Sequence, residues 1–236
     1  MNTPTPFHRA FVAATLALLA WLAFPSASVA QPSDRNYIKE QIKEAGQCRN
    51  VAITKSNGDL MICGRNGWAA SHCPKSLTNA LNQLNEDDEL IDDVQLTENG
   101  EWLVLYGNNG ILWSNIPKEM EDHLRKFNAD NEVITSAVFN DAGDWIIITK
   151  EHFIASSQDL QDWIKGGMEK YGQIWTCCLT DEAAVVVYDG GYRFLGEVPQ
   201  TLKDTLGEVD FDVYRLKIAG SAWFISDGKT KYDYTM

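Results

Sequence analysis

Five stretches of the chain are apolar without interruption: "LMIC" ending at Cys63, "WLVLY" from Trp102, "WIIIT" from Trp145, "VVVY" from Val185 and "WFIS" from Trp223. A run of that length predicts a strand buried on both faces. Segments before these runs alternate instead. "DVQLT", "SAVFN" and "RLKIA" set Val94 and Leu96, Ala137 and Phe139, and Leu216 and Ile218 on one side of a strand. Asn57-Gly58 and Asn99-Gly100 lie between the two kinds of segment and predict two-residue hairpin turns, because these residues tolerate positive φ. A second set of turns, at Asn66-Gly67, Asn109-Gly110 and Gly190-Gly191, leads to a third strand that ends at Pro74, Pro117 and Pro199. Beyond each proline the apolar period lengthens to about 3.6. Leu77, Leu81 and Leu84, then Met120, Leu124 and Phe127, then Leu202, Leu206 and Val209 form helical stripes, as do Ile38, Ile42 and Ala45 ahead of the first strand. Proline suits a first helical turn because its missing N–H has no partner there.

These segments repeat. "GEWLVLYGNNG" at Gly100 superposes on "GDWIIITKEHF" at Gly143, and "GRNG" at Gly64 superposes on "GNNG" at Gly107. Further on, Ala184 falls beneath Trp145, and Trp223 falls in the same column. A period of about forty residues signals a solenoid or a propeller. The expected fold is mainly β with short helices: one repeat domain over residues 31–236, cut into units 36–74, 75–117, 118–160, 161–199 and 200–236. Each unit is a helix plus a three-stranded antiparallel sheet. We expect closure into a five-bladed β-propeller-like ring. The alternative is an open solenoid, which would need polar end units, whereas the last unit keeps its apolar "WFIS".

"NGEWLVLYGNNG…SNIP" and "GDWIIIT" resemble the short repeats of secreted bacterial β-propeller-like (WD40-like) proteins over nearly all of residues 31–236. That resemblance implies the repeat fold and no common activity. The Gly-His and Trp-Asp signatures of WD40 repeats are absent. In architecture alone, a ring of five small blades is also similar to the tachylectin-type lectins.

Residues 1–30 have the layout of a cleavable signal peptide: a start carrying His8 and Arg9, an apolar run from Ala10 to Phe24, then Pro25 and Ser28-Val29-Ala30. That run falls short of a spanning helix, so the expectation is export to a periplasm or the medium, with no membrane insertion after cleavage. The formal net charge of −13 becomes −14 once Arg9 leaves with the signal. Such an acidic chain excludes nucleic acid as a partner. All five cysteines follow the cleavage point. Cys48, Cys63 and Cys73 form the pool from which a disulfide is expected in an oxidising compartment.

No sequence pattern for a cofactor or a metal occurs, and neither is expected. The acidic stretches Asn85–Asp93 and around Asp210 and Asp212 lack the spacing of a calcium loop and read as solvated links. Cys177 and Cys178 alternate to opposite faces, Cys177 in the core column of Val94 and Ala137. Trp102, Trp145 and Trp223 begin apolar strands and read as packing, which leaves Trp68 and Trp113 as freer ligand-binding candidates. At the ends of the third strands Ser71, Ser114 and Ser157 align with Gly196, followed by His72, Asn115, Gln158 and Glu197. These columns could offer one hydrogen-bonding group per unit. The function expected is a secreted, monomeric, non-enzymatic binding or scaffold protein that presents loops to a protein partner. The alternatives are a glycan-binding, lectin-like propeller and a hydrolase or lyase with a central site.

Overall fold

A computed structural model describes residues 35–236 with the exception of Asn57. The signal peptide and one residue of the first predicted turn therefore lie outside the described residues. Unit one comprises α1 (Asn36–Ala45), β1 (Asn50–Ile53), β2 (Asp59–Cys63) and β3 (Gly67–Ser71). Unit two comprises α2 (Lys75–Glu86), β4 (Ile91–Leu96), β5 (Trp102–Tyr106) and β6 (Gly110–Ser114). Unit three comprises α3 (Lys118–Ala129), β7 (Ile134–Phe139), β8 (Trp145–Thr149) and β9 (Phe153–Ala155). Unit four comprises α4 (Gln158–Tyr171), β10 (Ile174–Leu179), β11 (Ala183–Tyr188) and β12 (Gly191–Gly196). Unit five comprises α5 (Gln200–Glu208), β13 (Arg215–Ala219), β14 (Ala222–Ser226) and β15 (Tyr232–Thr235). Each set of three strands makes its own antiparallel sheet in chain order, and none of the five sheets closes on itself.

The doubly apolar middle strands have a direct cause. The described residues form five hydrophobic clusters, each combining one helix with the facing sides of two sheets. Leu77, Leu81 and Leu84 of α2 meet Leu60 and Ile62 of β2 on one side and Val94, Trp102 and Val104 of unit two on the other. The alternate residues Leu103 and Leu105 turn to the next cluster, with Met120 and Leu124 of α3 and Ile147 of β8. A middle strand thus serves two cores, and each fully buried aliphatic side chain contributes about 1.5–3 kcal/mol. Ile38 and Ile42 of α1 pack with Val51 and Met61 of the first sheet and with Ala219, Ala222 and Phe224 of the fifth. First strands touch in succession: β1 on β4, β4 on β7, β7 on β10, β10 on β13, and β13 on β1.

Several details depart from the sequence reading. Ala45 is exposed, and Val209 lies just past the end of α5. The Asn-Gly pairs belong to loops longer than two residues. Between β4 and β5 the Thr97 N–H donates to the Glu101 carbonyl, and only Gly100, at φ 82, adopts the left-handed conformation that glycine permits. In the second turns it is Gly64 and Gly107, ahead of the Asn-Gly pairs, that take positive φ. α4 starts without a proline; the Ser157 side chain caps it, accepting from the Leu160 N–H at 3.3 Å. The predicted disulfide is absent, and all five cysteines are free thiols. Cys48 and Cys63 belong to the cluster around α1 while Cys73 packs into that around α2, and the Cys48 and Cys73 thiols bond backbone carbonyls. Burial pushes both thiols up to about 12. Cys177 and Cys178 do alternate, into the clusters before and after the fourth sheet.

Candidate functional site

The first strands carry polar residues into the interior, and these meet across units. Lys217 of β13, 4 % exposed, sends its Nζ to Asp93 Oδ1 of β4 at 2.7 Å and to Gln95 Oε1 at 3.3 Å. Asn50 of β1 donates its amide to the same Asp93 oxygen at 2.6 Å. Burial alone would raise the Asp93 carboxyl, but Lys217 and Arg215, with the hydrogen bonds from Lys217 and Asn50, hold it below the ordinary carboxylate value. Asp93 was read from sequence as part of a solvated link and is instead an interior ion-pair partner. Ser136 Oγ of β7 lies 3.7 Å from the Cys177 thiol of β10, also in the interior.

Above Lys217 and Gln95 is a cavity of about 50 Å³ lined by residues of all five sheets, among them Thr97, Asn140, Thr180 and Cys178. That volume accommodates a few ordered waters and is far below the several hundred Å³ of a small-molecule pocket. Its rim is built from the turns that follow the first strands, and two rules hold these turns. Within each turn, Thr54, Thr97, Asn140 or Thr180 accepts a backbone N–H three or four residues on, at 2.8–3.3 Å. Between turns, the next residue in the column reaches back to the preceding unit. Glu98 accepts the N–H groups of Lys55 and Ser56; Asp141 accepts those of Glu98 and Asn99; Asp181 accepts that of Ala142. Unit five has only the short turn Gly220-Ser221 and no carboxylate at this place. There the Lys55 ammonium pairs with Glu182, linking the first and fourth turns beside Gly220.

This clasp was missed from sequence although its column, Lys55, Glu98, Asp141 and Asp181, repeats at the same period as the tryptophans. The columns that were predicted are not brought together. Trp68 and Trp113 are half-buried on the outer strands of different sheets, and the Arg125 guanidinium covers the Trp113 ring at 4.8 Å. Ser71 Oγ lies 2.9 Å from His72 Nδ1, and Asn115 bonds Glu101 next to Ser114. Gln158 is engaged with Asp162 inside α4, and Glu197 is exposed after β12. The register also shifts the column by one in unit three, where Ser156 pairs with Trp145 through N–H to carbonyl at 2.9 Å while Ser157 caps a helix.

One further polar group is out of balance. Asp59 takes the place that Trp102 holds in unit two and is 1 % exposed. Neither of its carboxylate oxygens has a hydrogen-bond partner, and the Arg35 Nε stands 3.6 Å away. Burial raises its pKa and Arg35 opposes the rise only in part. A carboxyl raised above its unfolded value costs stability as pH climbs through the raised value, and the cost persists at neutral pH. Asp59→Asn is therefore expected to stabilise the protein at neutral pH by about 1 kcal/mol. The gain should shrink as pH falls toward the ordinary carboxylate range, as urea melts at several pH values would show.

These features define a repeat protein of five helix-plus-sheet modules that together line a small cavity of mixed polar and apolar walls. No protein-family model matches the chain, and comparison with curated proteins gives no significant match.

Proposed function

We propose that the five units close into a propeller-like ring, that the protein is exported after loss of its signal peptide, and that it acts as a binding scaffold for a protein partner. Closure is supported by the packing of β13 on β1 and by the core that unites α1, the first sheet and the fifth. Export is supported by the layout of residues 1–30, and among the described residues no helix is long and apolar enough to cross a membrane. The observation that carries the binding reading is the clasp. It fixes four successive turns to one another while leaving Glu98, Asn99, Ala142, Asp181 and Glu182 exposed. A rigid scaffold with displayed turns binds without a large ordering cost. Its acidic rim fits a partner with a basic surface.

The test is a pull-down from the native envelope or medium, with the protein beside a Glu98→Gln, Asp141→Asn, Asp181→Asn variant. Each amide removes the charge and keeps one acceptor oxygen; because Glu98 and Asp141 each accept with both oxygens, melting curves of the variant check that the turns stay folded. A partner retained by the protein, eluted by moderate salt and lost by the variant is the expected result. Equal retention by both removes the acidic rim from the binding surface.

A further inference from the structure

The opposite ends of the first strands carry a different chemistry. Each of β4, β7 and β10 has a bulge there, at Asp92, Thr135 and Trp175. The Trp175 ring stacks on Tyr214 with centroids 5.2 Å apart and planes 25° apart. Tyr214 is 39 % exposed, and its backbone is pinned by its N–H to the Ser226 carbonyl at 2.8 Å. The next residue, Arg215, donates through Nε to the Asp92 carbonyl at 3.2 Å and through Nη1 to the Tyr214 carbonyl at 2.8 Å, so it ties the aromatic pair to the bulge of unit two. Partial burial raises the Asp92 carboxyl above its ordinary value, Arg215 and Arg49 opposing the rise only in part, and among the described residues no group donates a hydrogen bond to it. Arg49 is itself spent on the carbonyls of Gly64, Arg65 and Ile91.

An exposed ring backed by a second ring, beside an uncommitted carboxylate and a guanidinium with an Nη2 to spare, has the makings of a sugar site. The apolar C–H face of a pyranose lies against an aromatic ring, and its vicinal hydroxyls offer donors and acceptors together. We infer that Tyr214, Trp175, Asp92 and Arg215 form a carbohydrate-binding platform for neutral hexopyranose chains. Tyr214 supplies the stacking face and Trp175 holds that ring in place. Asp92 accepts from one hydroxyl and Arg215 donates to its neighbour. The platform lies at the other end of the first strands from the clasp and does not depend on the protein-binding reading. It also differs from the outer-strand Trp68 and Trp113.

Titration of the purified protein with cellohexaose, maltohexaose and chitohexaose, followed by tryptophan fluorescence, tests it. Saturable binding of at least one, with Kd of about 1 mM or tighter, is expected. Tyr214→Ala and Asp92→Ala should each weaken that binding by about tenfold or more. Tyr214→Phe should retain it, as should Trp113→Ala. Melting curves confirm that each variant is folded, and the retained binding of Tyr214→Phe guards against reading misfolding as loss of a contact. No saturation by any of the three oligosaccharides overturns the inference, and so does binding by Tyr214→Ala equal to that of the unaltered protein.

Discussion

Lys217→Met is expected to lower stability by about 3–5 kcal/mol, because it leaves Asp93 charged, buried and without its cation. The remaining donor to Asp93 is the neutral amide of Asn50, which cannot offset the desolvation of a full charge. The double variant Asp93→Leu, Lys217→Met should recover part of that loss, since no unpaired charge remains, while the Asn50 amide and Gln95 Oε1 lose their partners in the pair. A double-mutant cycle by urea denaturation would show this as strong non-additivity. Losses that simply add would mean that the two groups do not interact. The acid side gives a second reading. Asp93 is held below its ordinary value, so the stability it contributes is present above the unfolded carboxylate pKa and fades as pH falls through the lower, folded one. The double variant should lack that acid-dependent loss.

Trp145→Ala should cost about 3–5 kcal/mol, the range for emptying a large aromatic site in a core. Trp145 is 2 % exposed and lies in the cluster of α3 with Phe139 and Ile147, and the His123 ring stands 5.5 Å from it. Trp113→Ala, on a half-buried outer strand, should cost well under half as much. Thermal melts of the two variants compare the positions directly. A similar cost at both would mean that the outer strands are as tightly held as the middle ones, against the burial pattern of β6.

Trp145 illustrates what could be read from the chain. An unbroken "WIIIT" can only satisfy both its faces if cores lie on both sides, so the sequence implied the sandwiching before any contact was known. The helical stripes were legible for the same reason, and Cys177 and Cys178 fell on the faces that their alternation required. Loop detail was not legible, because an Asn-Gly pair reports that a turn occurs and not how many residues it takes. The ion pair was hidden by the alternation: Lys217 lies between Leu216 and Ile218, and Asp93 precedes Val94, on strand faces that read as polar, yet both residues are buried. Nothing local says that these two residues, separated by 124 positions, meet. The serine column at the ends of the third strands slips by one residue in unit three. Ser157 belongs to the following helix, and a helix cap and a strand end look alike in a serine.

The core around α1 draws on both ends of the described chain, from Ile38 to Met236. The Ser226 hydroxyl donates to the Arg49 carbonyl across 177 positions. Every other cluster joins neighbouring units and can condense as soon as the second of them exists. This one faces the largest loop-closure entropy, so it is the last to assemble during synthesis. Until β15 has been made, α1 and the outward faces of the first and fifth sheets wait uncovered. Strand β15 therefore sets the moment at which these three apolar surfaces are covered.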